Sequence, residues 1–312
     1  MSLFALIAAL LLEQLHPLSA RKYLYGWLTG YANFYQLHFN AGELRHGKFA
    51  WLFAVLPLLF GTILLYWLLY RVHPFLAWAF NVLVLYLTMG FRQFSHYFTD
   101  IHKALRDGEL ERARGLLTSW RGEPAHELNA EEVARVTIEE AMLASHRNVF
   151  GVIVWFVLFS VLGLGGAAGA LLYRMGQFLR ARWGDEEDDD LELFGNFSRK
   201  AFHVLEWLPI RLTAMTFAIV GDFEDTVYCW RTQAASWPDG DDGILLASGA
   251  GALGVRLGMP IPQGGLPFDR PELGVGEDAD ADFMQSTIGL VWRSVVFWLL
   301  LLLLLTLASL LG

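Results

Sequence analysis

The feature that most constrains this chain is the leucine run Leu299–Leu305, inside an apolar stretch from Ile288 to Leu311. The hydrocarbon core of a bilayer is crossed by about 20 apolar residues in a helix. This stretch has that length, with one charge, Arg293. Five more apolar segments precede it: 2–15, 50–70, 75–94, 149–173 and 207–220. They are continuous runs rather than alternating ones. That predicts helices and excludes a membrane barrel, whose strands alternate apolar and polar residues. Apolar residues make up 55% of the chain and its mean hydropathy is +0.39. By length, segments 50–70, 75–94, 149–173 and 288–311 are predicted to span. Segment 2–15, which holds Glu13 one turn before Pro17, is short, as is 207–220, which holds Pro209 and Arg211. The N-terminus lacks a basic region and a small-residue cleavage site, so 2–15 reads as a retained segment.

The expected fold is therefore all-α: a polytopic helical integral membrane protein of four to six spans, one membrane domain over 1–312. Trp51, Trp67, Trp78, Trp207, Trp292 and Trp298 stand near segment ends, where indoles favour the headgroup level. If all six segments cross, one set of loops carries 14 Lys/Arg and the other 6. The richer side is cytoplasmic by the positive-inside rule, and both termini lie opposite. Residues 95–148 are expected to form a helical cytoplasmic insertion. Its second helix should start at Asn129, with Glu132 completing a capping box, and run on into the next membrane segment. Residues 174–206 read as an acidic linker loop around Asp185–Asp190. Residues 223–287 read as a Gly/Pro-rich irregular loop. The net charge of −9 offers no broad basic face, which argues against nucleic acid. One cysteine, Cys229, excludes an intrachain disulfide and suggests packing. His38, His46, His73 and His126 lack ligand-like spacing.

Ionisable groups in or beside membrane helices are the functional candidates. Arg92, His96 and Asp100 recur at four-residue spacing on one helix face. Glu139 and His146, and likewise Glu140 and Arg147, are seven apart, two turns along one face. A carboxylate beside an imidazole can hold a cation or move a proton. Glu206 and Arg211 flank Pro209, which should break its helix and free a backbone carbonyl. Arg256 completes the candidate polar pocket. No metal-ligand set is evident.

Several stretches resemble a known family. Leu105-Arg106-Asp107-Gly108-Glu109-Leu110-Glu111-Arg112-Ala113-Arg114 resembles the L-x-x-G-D-L-x-x-A-R stretch of the CobD/CbiB family. Gly251-Ala252-Leu253-Gly254-Val255-Arg256-Leu257-Gly258 is similar to its G-A-L-G-I-x-L-G, followed by Pro271-x-x-Gly274 and a last membrane helix. Leu208–Leu212 is similar to its L-P-A-R-L. The resemblance implies a bacterial inner-membrane, multi-pass protein of cobalamin biosynthesis. Such proteins join an amino alcohol to a corrinoid carboxylate, with ATP and magnesium as the implied cofactors.

The middle of the chain departs from the enzymes. Their E-N-T-x-D-G falls at His146–Gly151, their N-T-x-D near Gln177–Arg180, and their D-D-x-x-N-Y-L-P at Phe202–Pro209, so most of the acids suited to magnesium are missing. His146–Phe156, Leu205–Leu212 and Phe217–Phe223 instead resemble AmpE, a related membrane protein linked to β-lactamase regulation. Two expectations follow. One is a CobD/CbiB-type amide-forming protein, catalytically diverged at these positions. The other is an AmpE-like, non-enzymatic protein binding a ligand or partner in envelope signalling. Expected partners are the lipid bilayer, a corrinoid or other small molecule, and a second copy of the chain. On either reading, Glu139, His146, Glu206, Arg211 and Arg256 are expected to share one cavity.

Overall fold

The computed structural model describes residues 2–15, 21–184 and 192–311. The acidic run Asp185–Asp190 and Pro17 lie outside them. The described residues are all-α apart from five short strands, and the chain divides into two compact units. Unit 1 comprises Met1–Gly90 and Arg147–Pro209; unit 2 comprises Phe91–His146 and Ile210–Gly312.

Unit 1 holds α1 (Ser2–Leu15), α2 (Arg21–Phe39), α3 (Leu44–Val72), α4 (Pro74–Thr88), α8 (Gly151–Val161), α9 (Gly166–Leu179) and the first part of α10 (Glu192–Val220). Unit 2 holds α5 (Phe91–Arg106), α6 (Leu110–Arg121), α7 (Ala130–Ser145), the rest of α10, α11 (Phe223–Gln233), α12 (Gly240–Leu253) and α13 (Ala281–Leu311). Strands β1 (Val255–Gly258) to β5 (Glu277–Asp278) lie between α12 and α13. β1 pairs antiparallel with β4 (Glu272–Leu273) and parallel with β5. β2 (Ile261–Gln263) and β3 (Leu266–Phe268) form a separate hairpin.

Among the described residues, four helical stretches are long and apolar enough to cross a membrane: Leu44–Val72, Ala130–Val161, Leu193–Val220 and Ala281–Ala308. Two of them agree with spans expected from the sequence, 50–70 and 288–311. The other two correct it. Segment 149–173 is not one span. Its helix ends at Val161, turns through Gly163 and Gly165 at positive φ, and returns as α9. Gly169 makes this hairpin possible, because a Cβ there would meet the Trp155 carbonyl oxygen of the facing helix. The apolar length is real, but it is divided between two helices, and Gly151–Val161 continues the long stretch that begins at Ala130. Segment 75–94 is likewise interrupted, since α4 stops at Thr88 and α5 begins at Phe91. The expected side of each loop assumed that all six segments cross as single helices, which these two are not.

Conversely, 207–220 belongs to a long helix, and Pro209 does not break it. A helical proline leaves the carbonyl four residues back without its N–H partner. That carbonyl, on Leu205, accepts instead from Trp155 Nε1 at 3.0 Å. The freed acceptor was correctly expected; its satisfaction by an indole from α8 lets the helix continue.

The expected loops at 174–206 and 223–287 are also largely ordered elements. Residues 174–184 and 192–206 are helical, and α12 is buried through most of its length. The glycine-rich Ala250–Gly254 closes α12, with Gly254 as its left-handed C-cap, so no phosphate cradle opens a helix there. The capping box at α7 is as expected: Glu132 N–H donates to Asn129 Oδ1 at 2.9 Å, and Asn129 N–H to Glu132 Oε2 at 2.7 Å. The helix runs on through a π-helical turn at His146–Phe150 into α8. Two of the tryptophans assigned to the interface are core residues. Trp51 packs among Ala54, Met175 and Phe194. Trp298 donates its indole N–H to Thr216 at 3.1 Å.

Candidate functional site

The polar centre of unit 1 is built on two adjacent residues of α9, Tyr173 and Arg174. The Tyr173 ring is fully buried, and its hydroxyl donates to Glu206 Oε2 at 2.7 Å. Glu206, on α10, is itself buried. Gly151 makes room for the phenol, since a Cβ there would fall 2.2 Å from its oxygen. Arg174 Nη1 donates to Asn148 Oδ1 at 2.7 Å and Gln177 Oε1 at 2.6 Å, and Nη2 to Tyr25 at 3.1 Å. All three acceptors are neutral, and Arg174 meets no carboxylate among the described residues. Arg147 is within electrostatic reach of the Tyr173 hydroxyl. One centre thus gathers Asn148, Gln177 and Glu206, one residue from each of three stretches distant in the chain.

A cavity of about 270 Å³ adjoins this centre, lined by Arg174, Gln177, Tyr25, Thr88 and apolar residues including Leu58 and Leu171. Sites that engulf a drug-sized ligand run to roughly 300–1,000 Å³. This cavity suits a small acidic group or side chain, not a macrocycle. The Thr88 hydroxyl is committed to the Val84 carbonyl at 2.8 Å, so Arg174, Gln177 and Tyr25 supply the polar lining.

Unit 2 has a second polar centre along one face of α7. Glu139 is buried and accepts from Gly258 N–H at 2.8 Å and from Arg270 Nη1 at 2.7 Å. Arg270 also donates to the carbonyls of Met259 at 3.1 Å and Gly258 at 2.9 Å. Its guanidinium lies 5.6 Å from the Trp237 ring centroid. The stretches that resemble the family frame build this region. Gly108 sits at positive φ between α5 and α6, and Arg114 Nε donates to the Leu128 carbonyl just before the α7 cap. Gly258, which ends the second stretch, meets Glu139.

The remaining sequence candidates are placed as follows. His96 and Asp100 form an exposed i,i+4 pair at 3.4 Å, and Arg92 lies on the same helix. Glu140 pairs with Arg121 at 3.3 Å. His146 Nδ1 meets the Thr213 hydroxyl at 2.9 Å, both buried. Arg256 pairs with Asp278 at 2.6 Å and Glu272 at 3.8 Å. Arg211 lies on α10 within unit 2, and Glu13 is buried on α1. Arg147 and Glu206 share the Tyr173 centre, whereas Glu139 and Arg256 are held by separate ion pairs. Sequence reasoning missed Tyr173, Arg174 and Arg270. For the first two the local signal was ambiguous: a cation beside a phenol at the end of an apolar run fits an intramembrane charge and a membrane boundary equally. Nothing local marked Arg270, whose partner is 131 residues away.

Among the described residues no three His, Cys, Asp or Glu side chains come together to hold a metal ion. Magnesium commonly takes one or two carboxylates plus substrate phosphates; a protein-built cage is not what these residues offer.

The family profile described as CobD/Cbib protein matches residues 3–291. The chain belongs to the CobD/CbiB family. It is 36% identical to the cobalamin biosynthesis protein CobD of Stutzerimonas stutzeri (strain A1501), over 97% of this chain and 98% of that one. It is 35% identical to CobD of Chromobacterium violaceum over 74% of this chain and 72% of the relative. It is 27% identical to CbiB of Salmonella arizonae over 71% and 69%. No solved structure matches it significantly. Membership of this family supports a role in cobalamin biosynthesis, while the resemblance of the central stretches to AmpE draws no support from these relatives.

Proposed function

We propose that this protein carries out the amide-forming step characteristic of its family, at the bacterial inner membrane. In that step an amino alcohol unit is joined to a corrinoid carboxylate. The observation that carries the reading is the Tyr173–Arg174 centre, where residues from three stretches distant in the chain meet beside a small cavity. Arg174, surrounded by neutral acceptors, offers its charge to an anionic group of the smaller substrate. Gln177 and Tyr25 orient the guanidinium. Glu206 fixes Tyr173, and with it the register of α9, as a positioning residue. The corrin ring exceeds the cavity, so only its reacting side chain approaches the site. The C–N bond forms between the amine nitrogen and the carboxyl carbon. The carboxyl oxygen, activated by a nucleoside triphosphate, departs with phosphate, and the amine proton passes to solvent.

The test is complementation of a strain lacking the cobinamide-forming step. The wild-type chain should restore cobalamin-dependent growth. Arg174→Gln, inserted at equal level, should lower cobinamide formation roughly tenfold or more, the scale of one lost charge-assisted contact. Failure of the stably inserted wild-type chain to restore growth would refute the reading.

A further inference from the structure

Arg135 is a buried cation with no hydrogen-bond partner among the described residues of unit 2. It sits on α7, one turn before Glu139, and its side chain is 4% exposed. Its Nε is enclosed and makes no hydrogen bond. No hydrogen bond from either terminal nitrogen is made among the described residues. Its one ion-pair contact among the described residues is with Glu131, 3.8 Å away on the same helix, half-exposed and beyond hydrogen-bond reach. Glu139, the acid on the other side, is already taken by Arg270 and the Gly258 N–H. A guanidinium carries five donors in a planar fork matched to two oxygens of one anion. Burying it without such a partner is among the costliest arrangements in a protein interior.

The neighbouring elements repeat the pattern. α5, α12 and β1 all pack on α7. Each carries an enclosed polar atom without a partner: His102 Nε2, Ser248 Oγ and Arg256 Nε. None of these groups takes part in the Tyr173–Arg174 centre.

We propose that unit 2 binds a small oxyanion, the phosphate or carboxylate group of a ligand, on the Arg135 guanidinium. The anion takes the fork of donors that the fold leaves open, and Glu131 competes weakly for the same charge. This site is independent of the function proposed for unit 1, and complementation and anion binding can fail separately.

The experiment uses the full chain in detergent and follows thermal unfolding and titration calorimetry. Inorganic phosphate and acetate are added at constant ionic strength against chloride, to tell phosphate from carboxylate recognition. Saturable stabilisation by at least one of them is expected for the wild type. Arg135→Gln should abolish it, and Arg135→Lys should weaken it roughly tenfold, because a point charge replaces a bidentate fork. Glu131→Ala removes the competing acid from an exposed position and should tighten binding severalfold. Without added anion, Arg135→Met should unfold at the same temperature as the wild type or higher. A purely structural arginine would give the opposite. The proposal is overturned if neither anion stabilises the wild type. It is equally overturned if the Glu131→Ala and Arg135→Lys variants respond as the wild type does, which would mean an adventitious ion only.

Discussion

Removing both partners of the Glu139–Arg270 pair should cost less than the two single removals added together. Both side chains are buried, at 5% and 8% exposure, and their shortest contact is 2.7 Å. Glu139→Leu leaves the guanidinium with two backbone carbonyls and no counter-charge, and strips the Gly258 N–H of its acceptor. Breaking a buried pair in this way costs about 3–5 kcal/mol. Arg270→Met leaves a buried carboxylate with a single N–H donor and falls in the same range of about 3–5 kcal/mol. In the double variant no charge remains buried. The residual loss is one unsatisfied N–H and two carbonyls that lose a donor, about 1–3 kcal/mol for each group left truly unpaired. The double loss is therefore expected to fall below the sum of the singles, because neither charge is left buried and unpaired. The assay is a double-mutant cycle of unfolding in mixed micelles, read by far-ultraviolet circular dichroism. A coupling energy under about 0.5 kcal/mol would mean that the two sites act independently. The pair would then not be the element that fastens β1 to α7.

Other outcomes follow from single contacts. Gly151→Ala places a methyl on the Tyr173 ring, so a loss of about 1–3 kcal/mol is expected in the same unfolding assay, with lower cobinamide formation. Trp155→Phe removes the donor to the Leu205 carbonyl. It should destabilise the chain by about 1–3 kcal/mol, where Pro209→Ala in the same background recovers part of the loss by restoring the helical N–H. Asn129→Ala removes the α7 cap at a cost of about 1 kcal/mol. Burial, reinforced by Asp225, pushes the Cys229 thiol up to about 11, so it stays protonated until pH nears that value. Alkylation of the folded protein should be slow at pH 8 and become rapid only above about pH 10 or on unfolding.

Much of this architecture was legible in the sequence, and the failures are specific. The α7 cap was readable because an asparagine and a glutamate three residues apart satisfy two backbone donors using only local geometry. The free carbonyl at Leu205 was readable for the same reason, since a proline removes a donor wherever it stands. The segment 149–173 misled because hydropathy measures transfer from water and does not distinguish lipid from another helix as the new surroundings. Only Gly169 against the Trp155 carbonyl, and the positive-φ glycines of the turn, mark the reversal. The Tyr173–Arg174 centre was partly visible, in that Arg147 and Glu206 were singled out on the rule that intramembrane charge is costly. Their common neighbour was not, because an aromatic and an arginine at the end of an apolar run also describe a membrane boundary.

The sequence by itself determined that this chain partitions into helices long and apolar enough for a bilayer, and it carried the marks of its family in 105–114 and 251–258. Those properties add up residue by residue along the chain, from transfer free energy, helix periodicity and local caps. Only the tertiary structure decided which charge meets which partner. Arg270 reaches Glu139, Trp155 satisfies the carbonyl that Pro209 frees, and Arg135 is left open. Hydrogen bonds and ion pairs act over a few ångströms and depend on direction, so their pairing is set by how helices distant in sequence come to lie together.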